Sequence, residues 1–231
     1  MLEVHPRSTP LKFPCCGNHA DPLPSKHRVF VWMSTDVVPD HKLHVIASED
    51  DYVFGILQSR MHEKWTLAQC SWLGVGNDPS YSSSRTFGTF PFPWSPGKQP
   101  RTDSRQKRIA TAARKLLTKR NAWLKPPKTS AEESKNRTLT KLYNENPTWL
   151  KDAHRELDEA VFAAYGWPND LSDEAILARL LNLNMARFAE EQARRAPGEP
   201  AKATPGAAPK KLPAAAAQGR QQSGRKRSAR L

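Results

Sequence analysis

The chain has 231 residues, of which 38% are hydrophobic and 26% charged, and its formal net charge is +13. No run approaches the roughly 18 consecutive apolar residues that a membrane helix needs, so the sequence excludes a membrane protein. Its 3 cysteines, two of them adjacent, exclude a disulfide-stapled secreted domain. We therefore expect a basic, soluble, intracellular protein.

The N-terminal residues 1–24 differ from the rest of the chain. They contain five prolines and no apolar period, which predicts an irregular extension. Cys15, Cys16 and His19 could be read as zinc ligands. Structural zinc sites, however, use two separated ligand pairs, and the sequence offers no second pair. We therefore favour an irregular extension over a zinc site.

The next residues predict two strands, a helix and a long connection. β-Branched and aromatic residues at 28–33 and apolar residues at 43–47 indicate strands. Ser48 is a suitable cap for a helix that runs to about residue 65, with a buried face at helical spacing. Residues 70–104 have no helical period, and a connection of that length is often functional. The apolar face of the helix consists of Val53, Ile56, Leu57, Met61 and Trp65.

The second half of the chain predicts four helices. They span about 104–124, 136–143, 147–165 and 172–191, with capping and terminating residues at their ends. Short connections favour an antiparallel helical domain at 101–192. The fold class is therefore α+β, with a small mixed strand and helix segment at 25–100 preceding the helical domain.

The remaining charge lies in a C-terminal tail. Residues 190–231 contain ten Lys or Arg and three Glu, a charge of +7 that leaves +6 for the first 189 residues. From residue 196 onward, 19 of 36 residues are Ala, Pro or Gly, so little apolar area can offset the entropy of ordering. We predict a disordered tail at 193–231 that binds phosphates nonspecifically, or a solvated tail without a dedicated role. The phosphate-binding candidates are Arg225, Lys226, Arg227 and Arg230.

No self-sufficient catalytic or metal site is evident in the sequence. The histidines follow no triad or metal spacing, and the Gly-rich string at 74–80 lacks the third glycine of a dinucleotide fingerprint. His154 and Asp158, four residues apart, are read as a local pair. Four acids of the same helix are read as a solvated face, namely Asp152, Glu156, Asp158 and Glu159.

Polar and basic residues beside aromatic ones are the more informative pattern. Arginine can pair with guanine or phosphate, and serine can bind phosphate. The ordinary alternative is surface Arg and Ser, with Phe87, Phe90 and Phe92 anchoring a loop into the core. The candidate DNA contacts are Lys26, His27, Arg28, Ser59, Arg60, Ser83, Ser84 and Arg85.

Five strings, in order, carry a resemblance to a known family. They are residues 25–32, 52–65, 81–94, 137–144 and 157–168, and the motif Ser84-Arg-Thr-Phe followed by Thr-Phe-Pro-Phe-Pro93 is the most specific. Over about residues 25–188 the sequence resembles the C-terminal part of MmeI-like DNA methyltransferases. These bacterial restriction-modification enzymes methylate adenine and use S-adenosylmethionine. In that family a target recognition domain and then a helical domain follow the methyltransferase domain.

The resemblance implies a DNA-binding recognition fragment in the bacterial cytoplasm, with double-stranded DNA as its partner. The family's Asn-Pro-Pro-aromatic catalytic motif and its Gly-rich methyl-donor site do not occur in this sequence. We therefore assign no catalytic residue, metal or cofactor to this chain and expect it to be inactive alone. Residue 88 is Gly where the family leads us to expect an acid, and residue 70 is Cys where we expect Gly.

Two interpretations remain open from the sequence. The first is the recognition fragment, for which a separately encoded methyltransferase chain is a candidate partner. The second is a helical interaction module whose basic tail binds nucleic acid without sequence preference. The second interpretation leaves the motifs of residues 25–93 unexplained.

Overall fold

The structure is a computed structural model that describes residues 12–17, 27–34, 36, 43–73, 78–127, 130, 132–133 and 136–194, without the side chains of 12–17, 43, 73 and 78. Lys26, His19, the side chains of Cys15 and Cys16, and the predicted tail from residue 195 onward lie outside this description. Among the helices described, none is both long and apolar enough to cross a bilayer.

The strands in the described part of the chain form two small antiparallel sheets. The first contains β1 (Lys12–Gly17), β2 (Val31–Ser34) and β3 (Leu43–Val45) in the order β2-β1-β3. The prediction of a wholly irregular extension at 1–24 is therefore wrong at β1. Strands β2 and β3 do not pair with each other, and β1 pairs with one edge of each of them.

The long connection predicted at 70–104 begins with ordered structure. Strands β4 (Ser71–Leu73) and β5 (Asp78–Ser80) pair with Trp72 opposite Pro79. A π-helical turn, Ser83–Phe87, follows the hairpin. Residues 88–103 form neither helix nor strand, as the sequence predicts.

The helix predicted at 48–65 is two helices, α1 (Asp51–Leu57) and α2 (Arg60–Gln69). Ser59 breaks the helix because its backbone is extended, with ψ 155°, and its hydroxyl caps the second helix at the His62 N–H. Next to the break, the side-chain amide of Gln58 donates to the Phe30 carbonyl at 2.6 Å. A serine that caps is a common helix start, but no Pro or Gly stands between Ile56 and His62 to mark the break.

The four helices predicted in the second half are confirmed within a few residues. They are α3 (Ser104–Leu124), α4 (Leu139–Glu145), α5 (Thr148–Tyr165) and α6 (Asp173–Arg194). Asp103 caps α3 at the Arg105 N–H, and Thr138 caps α4 at the Lys141 N–H. Gly166 ends α5 with φ +69°, a left-handed conformation that glycine adopts without strain. The α+β class is confirmed.

The mixed strand and helix segment at 25–100 is called the recognition segment below, and residues 101–192 are called the helical segment. The two segments share one hydrophobic core. Helix α3 packs mainly on α5 and on α1, and α6 packs on α2, so helices from both sides of residue 100 alternate in space. Gly55 of α1 lies so close to α3 that an added Cβ would be 2.7 Å from Ile109 Cγ2. The predicted boundary between 100 and 101 is therefore a change of secondary structure within one compact unit.

Most core predictions are confirmed, with one exception on the last helix. All five residues predicted for the apolar face of the first helix are buried, as are Leu157, Val161 and Phe162. In α6, however, only Ile176 and Leu180 are buried, while Phe188 is 49% exposed although it continues the apolar period.

Candidate functional site

The π-helical turn presents three of the predicted contact residues together. Ser83, Ser84 and Arg85 are all exposed at its tip. The turn begins at Ser82, whose hydroxyl accepts from the Arg85 N–H, and it closes where the Gly88 N–H donates to the Ser83 carbonyl at 2.7 Å. The three residues, which are consecutive in the sequence, therefore form one exposed polar tip whose backbone is held by hydrogen bonds.

Gly88 explains one departure from the family pattern. A Cβ at this position would lie 3.0 Å from the Ser84 carbonyl oxygen and 3.3 Å from that of Ser83. An acidic side chain would therefore crowd the turn and bring a negative charge to carbonyl oxygens. Glycine allows this tight closure of the turn.

Helices α1 and α5 hold the segment that follows the turn. The Tyr52 hydroxyl of α1 donates to the Trp94 carbonyl at 2.9 Å and accepts from the Trp94 N–H at 3.1 Å. The Tyr165 hydroxyl of α5 donates to the Pro91 carbonyl at 2.9 Å. Burial raises the pKa of both phenols, so they remain neutral donors at any physiological pH.

Helices α2 and α6 hold the same segment at Thr89. The Trp65 indole N–H of α2 donates to the Thr89 hydroxyl at 3.2 Å, and the Asn184 amide of α6 donates to the Thr89 carbonyl at 2.7 Å. The Thr89 hydroxyl in turn donates to the carbonyl of Arg85 at the tip. A chain of hydrogen bonds therefore runs from Trp65 of α2 through the Thr89 hydroxyl to the backbone of Arg85, while Asn184 of α6 fixes the Thr89 main chain.

Aromatic rings form the base of this segment. Phe90 and Phe92 are buried and meet edge to face at 5.0 Å, and Phe87 packs edge to face on Phe92 at 5.5 Å. The packing role predicted for these three residues is confirmed. Because four helices and an aromatic base hold residues 82–94, the tip is preorganised by its surroundings.

The Arg85 guanidinium is exposed and has no acidic partner among the described side chains. Its Nη1 donates to the Ser71 hydroxyl of β4 at 3.1 Å. Next to Ser71, Trp72 is 52% exposed, which is unusual for the largest aromatic side chain. The sequence predictions missed Trp72. The feature of the sequence that could have indicated an exposed Trp72 is a tryptophan within a short polar stretch that has no helical period.

His27, Arg28 and Arg60 lie along a separate groove of about 640 Å³. His27 Nε2 is 3.1 Å from the Asn144 amide oxygen, and burial raises the pKa of the nearby Cys70 thiol although the charge of Arg28 opposes this in part. Arg60 is bound within the fold, because its guanidinium donates to Asp173 at 2.6 Å and Lys64 binds the same carboxylate. These candidates therefore do not join the exposed tip.

Ser59 needs a correction. Its side chain is fully buried, donates to the Ile56 carbonyl at 2.6 Å and accepts the His62 N–H. A buried hydroxyl that caps a helix is not available to DNA, so Ser59 is a structural residue.

Asp158 also differs from its prediction as part of a solvated face. Its carboxylate turns inward from α5 and accepts the Arg60 backbone N–H at 2.8 Å. Burial raises the pKa of Asp158 to about 7, and the Arg60 contacts oppose this only in part. His154 contacts the Tyr143 hydroxyl at 3.1 Å, so the hydrogen bonds of the structure do not include the predicted local pair with Asp158.

His62 is a neutral core residue. Its Nδ1 lies 3.1 Å from the Leu57 carbonyl, which can only accept, so Nδ1 carries the proton. Burial, together with the charge of Arg28, lowers the pKa of His62 to about 3. Over the described residues, no three His, Cys, Asp or Glu side chains form a group that could hold a metal ion.

Comparisons with known proteins identify the segment that contains the tip. Residues 25–94 match the family described as the MmeI target recognition domain. DNA methyltransferase A of Bacillus subtilis (strain 168) is 32% identical over 164 residues, 69% of this chain and 16% of that protein. The chain thus spans 16% of the length of this curated relative.

A solved structure has the same fold over most of the chain. It is that of the Type IIL restriction-modification enzyme MmeI in complex with DNA, with a TM-score of 0.58 and 24% identity. The alignment covers 78% of this chain and 22% of that one. The resemblance predicted from the sequence is therefore confirmed, and residues 25–94 match the target recognition domain of the MmeI family.

Proposed function

We propose that this chain is the DNA-reading part of a site-specific adenine methyltransferase of a restriction-modification system, and that it binds double-stranded DNA. The family match and the relative named a DNA methyltransferase support this proposal. The observation that carries it is the exposed tip of Ser83, Ser84 and Arg85, held by four helices, whose arginine has no acidic partner among the described residues.

Each residue of the tip has a distinct proposed role. The Arg85 guanidinium can donate two parallel hydrogen bonds to guanine, or bind a phosphate. The Ser83 and Ser84 hydroxyls suit phosphate oxygens, which would fix the register of the chain on the duplex. Trp72 follows Ser71, the residue that Arg85 contacts, and its exposed ring can pack against a sugar or a thymine methyl group.

Methyl transfer would be supplied from outside these residues. The reaction needs a site for S-adenosylmethionine and a pocket for a flipped adenine. We place both in methyltransferase sequence beyond these 231 residues, on the same polypeptide or on a separately encoded chain. The working location would be the bacterial cytoplasm, where the DNA is.

Selection of bound duplexes from a randomised pool tests the proposed function. The wild-type chain should enrich a defined sequence, and Arg85→Ala should relax the preference at one base pair. A bidentate contact contributes about 1–3 kcal/mol, or roughly 5- to 150-fold of discrimination. Arg179→Ala is the matched control, because it removes the same charge from an exposed side chain that lies over the Trp167 ring instead.

The outcomes separate this proposal from the interaction-module alternative. A helical module with a basic tail would bind all duplexes equally, since a tail reads charge and not base edges. Enrichment of one sequence by the wild-type chain would exclude that alternative. An identical preference profile before and after Arg85→Ala would remove Arg85 as a base-reading residue.

A further inference from the structure

Helix α3 has an unusual charge pattern. Over Ser104–Leu124 it contains seven Lys or Arg and no Asp or Glu. A helix on the surface of a soluble protein ordinarily mixes both signs along its polar face. This helix lies in the helical segment, outside the residues that match the target recognition domain.

Two of the seven cations are accounted for by the fold. Arg120 is buried and donates to the Phe30 carbonyl at 2.9 Å. Arg105 binds Asp103, the residue that caps the helix, at 2.8 Å and lies over the Trp94 ring. The other five extend from the side of α3 opposite its buried residues, and all of them are exposed except Lys119, which is half-buried.

The five outer cations form two rows along the helix. Arg108, Lys115 and Lys119 lie on one side of a central line of small residues, and Lys107 and Arg114 lie on the other. At 1.5 Å per residue, Arg108 and Lys119 are about 16 Å apart along the axis. Such a face offers several positive charges at the spacing of a nucleic-acid backbone, with the hydroxyls of Thr111 and Thr118 between the rows.

Acidic neighbours neutralise only part of this face. Arg114 pairs with Asp51 of α1 at 2.8 Å, and Lys115 pairs with Glu156 of α5. In the part of the chain that the structure describes, Lys107, Arg108 and Lys119 have no ion-pair partner. Positive charge thus remains along the helix after the internal pairs have formed.

We propose that the outer face of α3 binds the phosphate backbone of duplex DNA and reads no bases. The partner follows from charge complementarity, because a helix without acids of its own that keeps three unpaired cations on its outer face matches a polyanion rather than an apolar protein surface. The inference rests on the proposed function for the partner. It places a second contact region in the helical segment, distinct from the tip and from the tail.

A pair of matched double variants of the full chain tests this inference. Lys107→Gln with Arg108→Gln removes two charges from the α3 face, and Lys141→Gln with Lys151→Gln removes two from exposed positions on α4 and α5. Affinity for a 20-base-pair duplex is measured at several salt concentrations. Each phosphate contact contributes about 0.9 to the slope of log K against log salt.

The α3 variant should lower that slope by up to about 1.8 and weaken binding equally for all sequences. The control variant should change the slope by much less. Equal slopes for both variants, or a wild-type slope for the α3 variant, would overturn the inference. If circular dichroism shows that the first α3 variant is unfolded, Lys119→Gln with Lys125→Gln takes its place.

The result for the inference is independent of the result for sequence reading. If the wild-type chain prefers one sequence but the α3 variant behaves like the control, only the inference fails. If the α3 variant lowers the slope while the wild-type chain shows no sequence preference, the inference holds and the proposed function fails. A wild-type chain that does not bind duplex DNA contradicts both.

Discussion

Gly55→Ala is predicted to destabilise the protein although alanine is the better helix former. The new Cβ would lie 2.7 Å from Ile109 Cγ2 and 3.2 Å from Ala113 Cβ, well inside the ordinary contact distance of about 3.5–4 Å. Because Ile109 is β-branched, its Cγ2 cannot swing away without a change of rotamer. The contact joins α1 of the recognition segment to α3 of the helical segment.

The expected magnitude follows from two opposing terms. Removing glycine from a helix interior gains up to about 1 kcal/mol, whereas overpacking a core costs about 1–3 kcal/mol. The free energy of unfolding should therefore fall by up to about 2 kcal/mol. In an Ile109→Ala background, which itself costs about 2–5 kcal/mol, the closest contact is removed while the 3.2 Å contact with Ala113 Cβ stays, so Gly55→Ala should destabilise the protein much less.

Urea unfolding of the four proteins in this double-mutant cycle measures the coupling. Tryptophan fluorescence and circular dichroism should report one coincident transition, because both segments share one core. The coupling energy should be about 1–3 kcal/mol. If Gly55→Ala stabilises the wild-type background, or if the two changes are additive within about 0.5 kcal/mol, the close approach of α1 and α3 is refuted.

Three further predictions address the loop anchor, a buried acid and the tail. Tyr52→Phe removes two hydrogen bonds to Trp94 and should lower the free energy of unfolding by about 1–3 kcal/mol in urea; an unchanged midpoint would contradict the anchor. Asp158 has a pKa of about 7 in the folded state, so the wild type loses stability as pH rises from about 4 to 7. Asp158→Asn, which still accepts the Arg60 N–H, should therefore raise the melting temperature more at pH 8 than at pH 5, and an equal shift at both would argue against the raised pKa. Replacing the basic residues of 225–230 by Gln should reduce the salt dependence of DNA binding; an unchanged slope would indicate a solvated tail.

The sequence predicted most of the helices because their ends carry local signals. Asp103, Thr138 and Gly166 cap helices through their own side chains or backbone, and a one-dimensional reading detects such residues. The break between α1 and α2 was missed because it depends on a distant partner. At this break the Gln58 side chain donates to the carbonyl of Phe30, 28 residues earlier, and no local pattern encodes that contact.

The candidate site was predicted in part for a similar reason. Ser83, Ser84 and Arg85 are consecutive and exposed, so composition and order were sufficient to find them. Ser59 has the same residue type, but tertiary packing buries it, and the charge of Arg60 is bound by Asp173, 113 residues later. Residue type indicates what a side chain can bind, whereas burial and long-range pairing decide whether it is available.

The anchoring of residues 82–94 by four helices limits how such a protein could be recombined with its relatives. Tyr52, Trp65, Tyr165 and Asn184 all bind this segment, and they are spread over 133 sequence positions. A graft of the recognition segment alone would keep Tyr52 and Trp65 but separate Tyr165 and Asn184 from the carbonyls of Pro91 and Thr89. Exchange of specificity should therefore succeed either by substitution at the exposed tip or by transfer of both segments as one block, and a crossover near residue 100 should yield a misfolded hybrid.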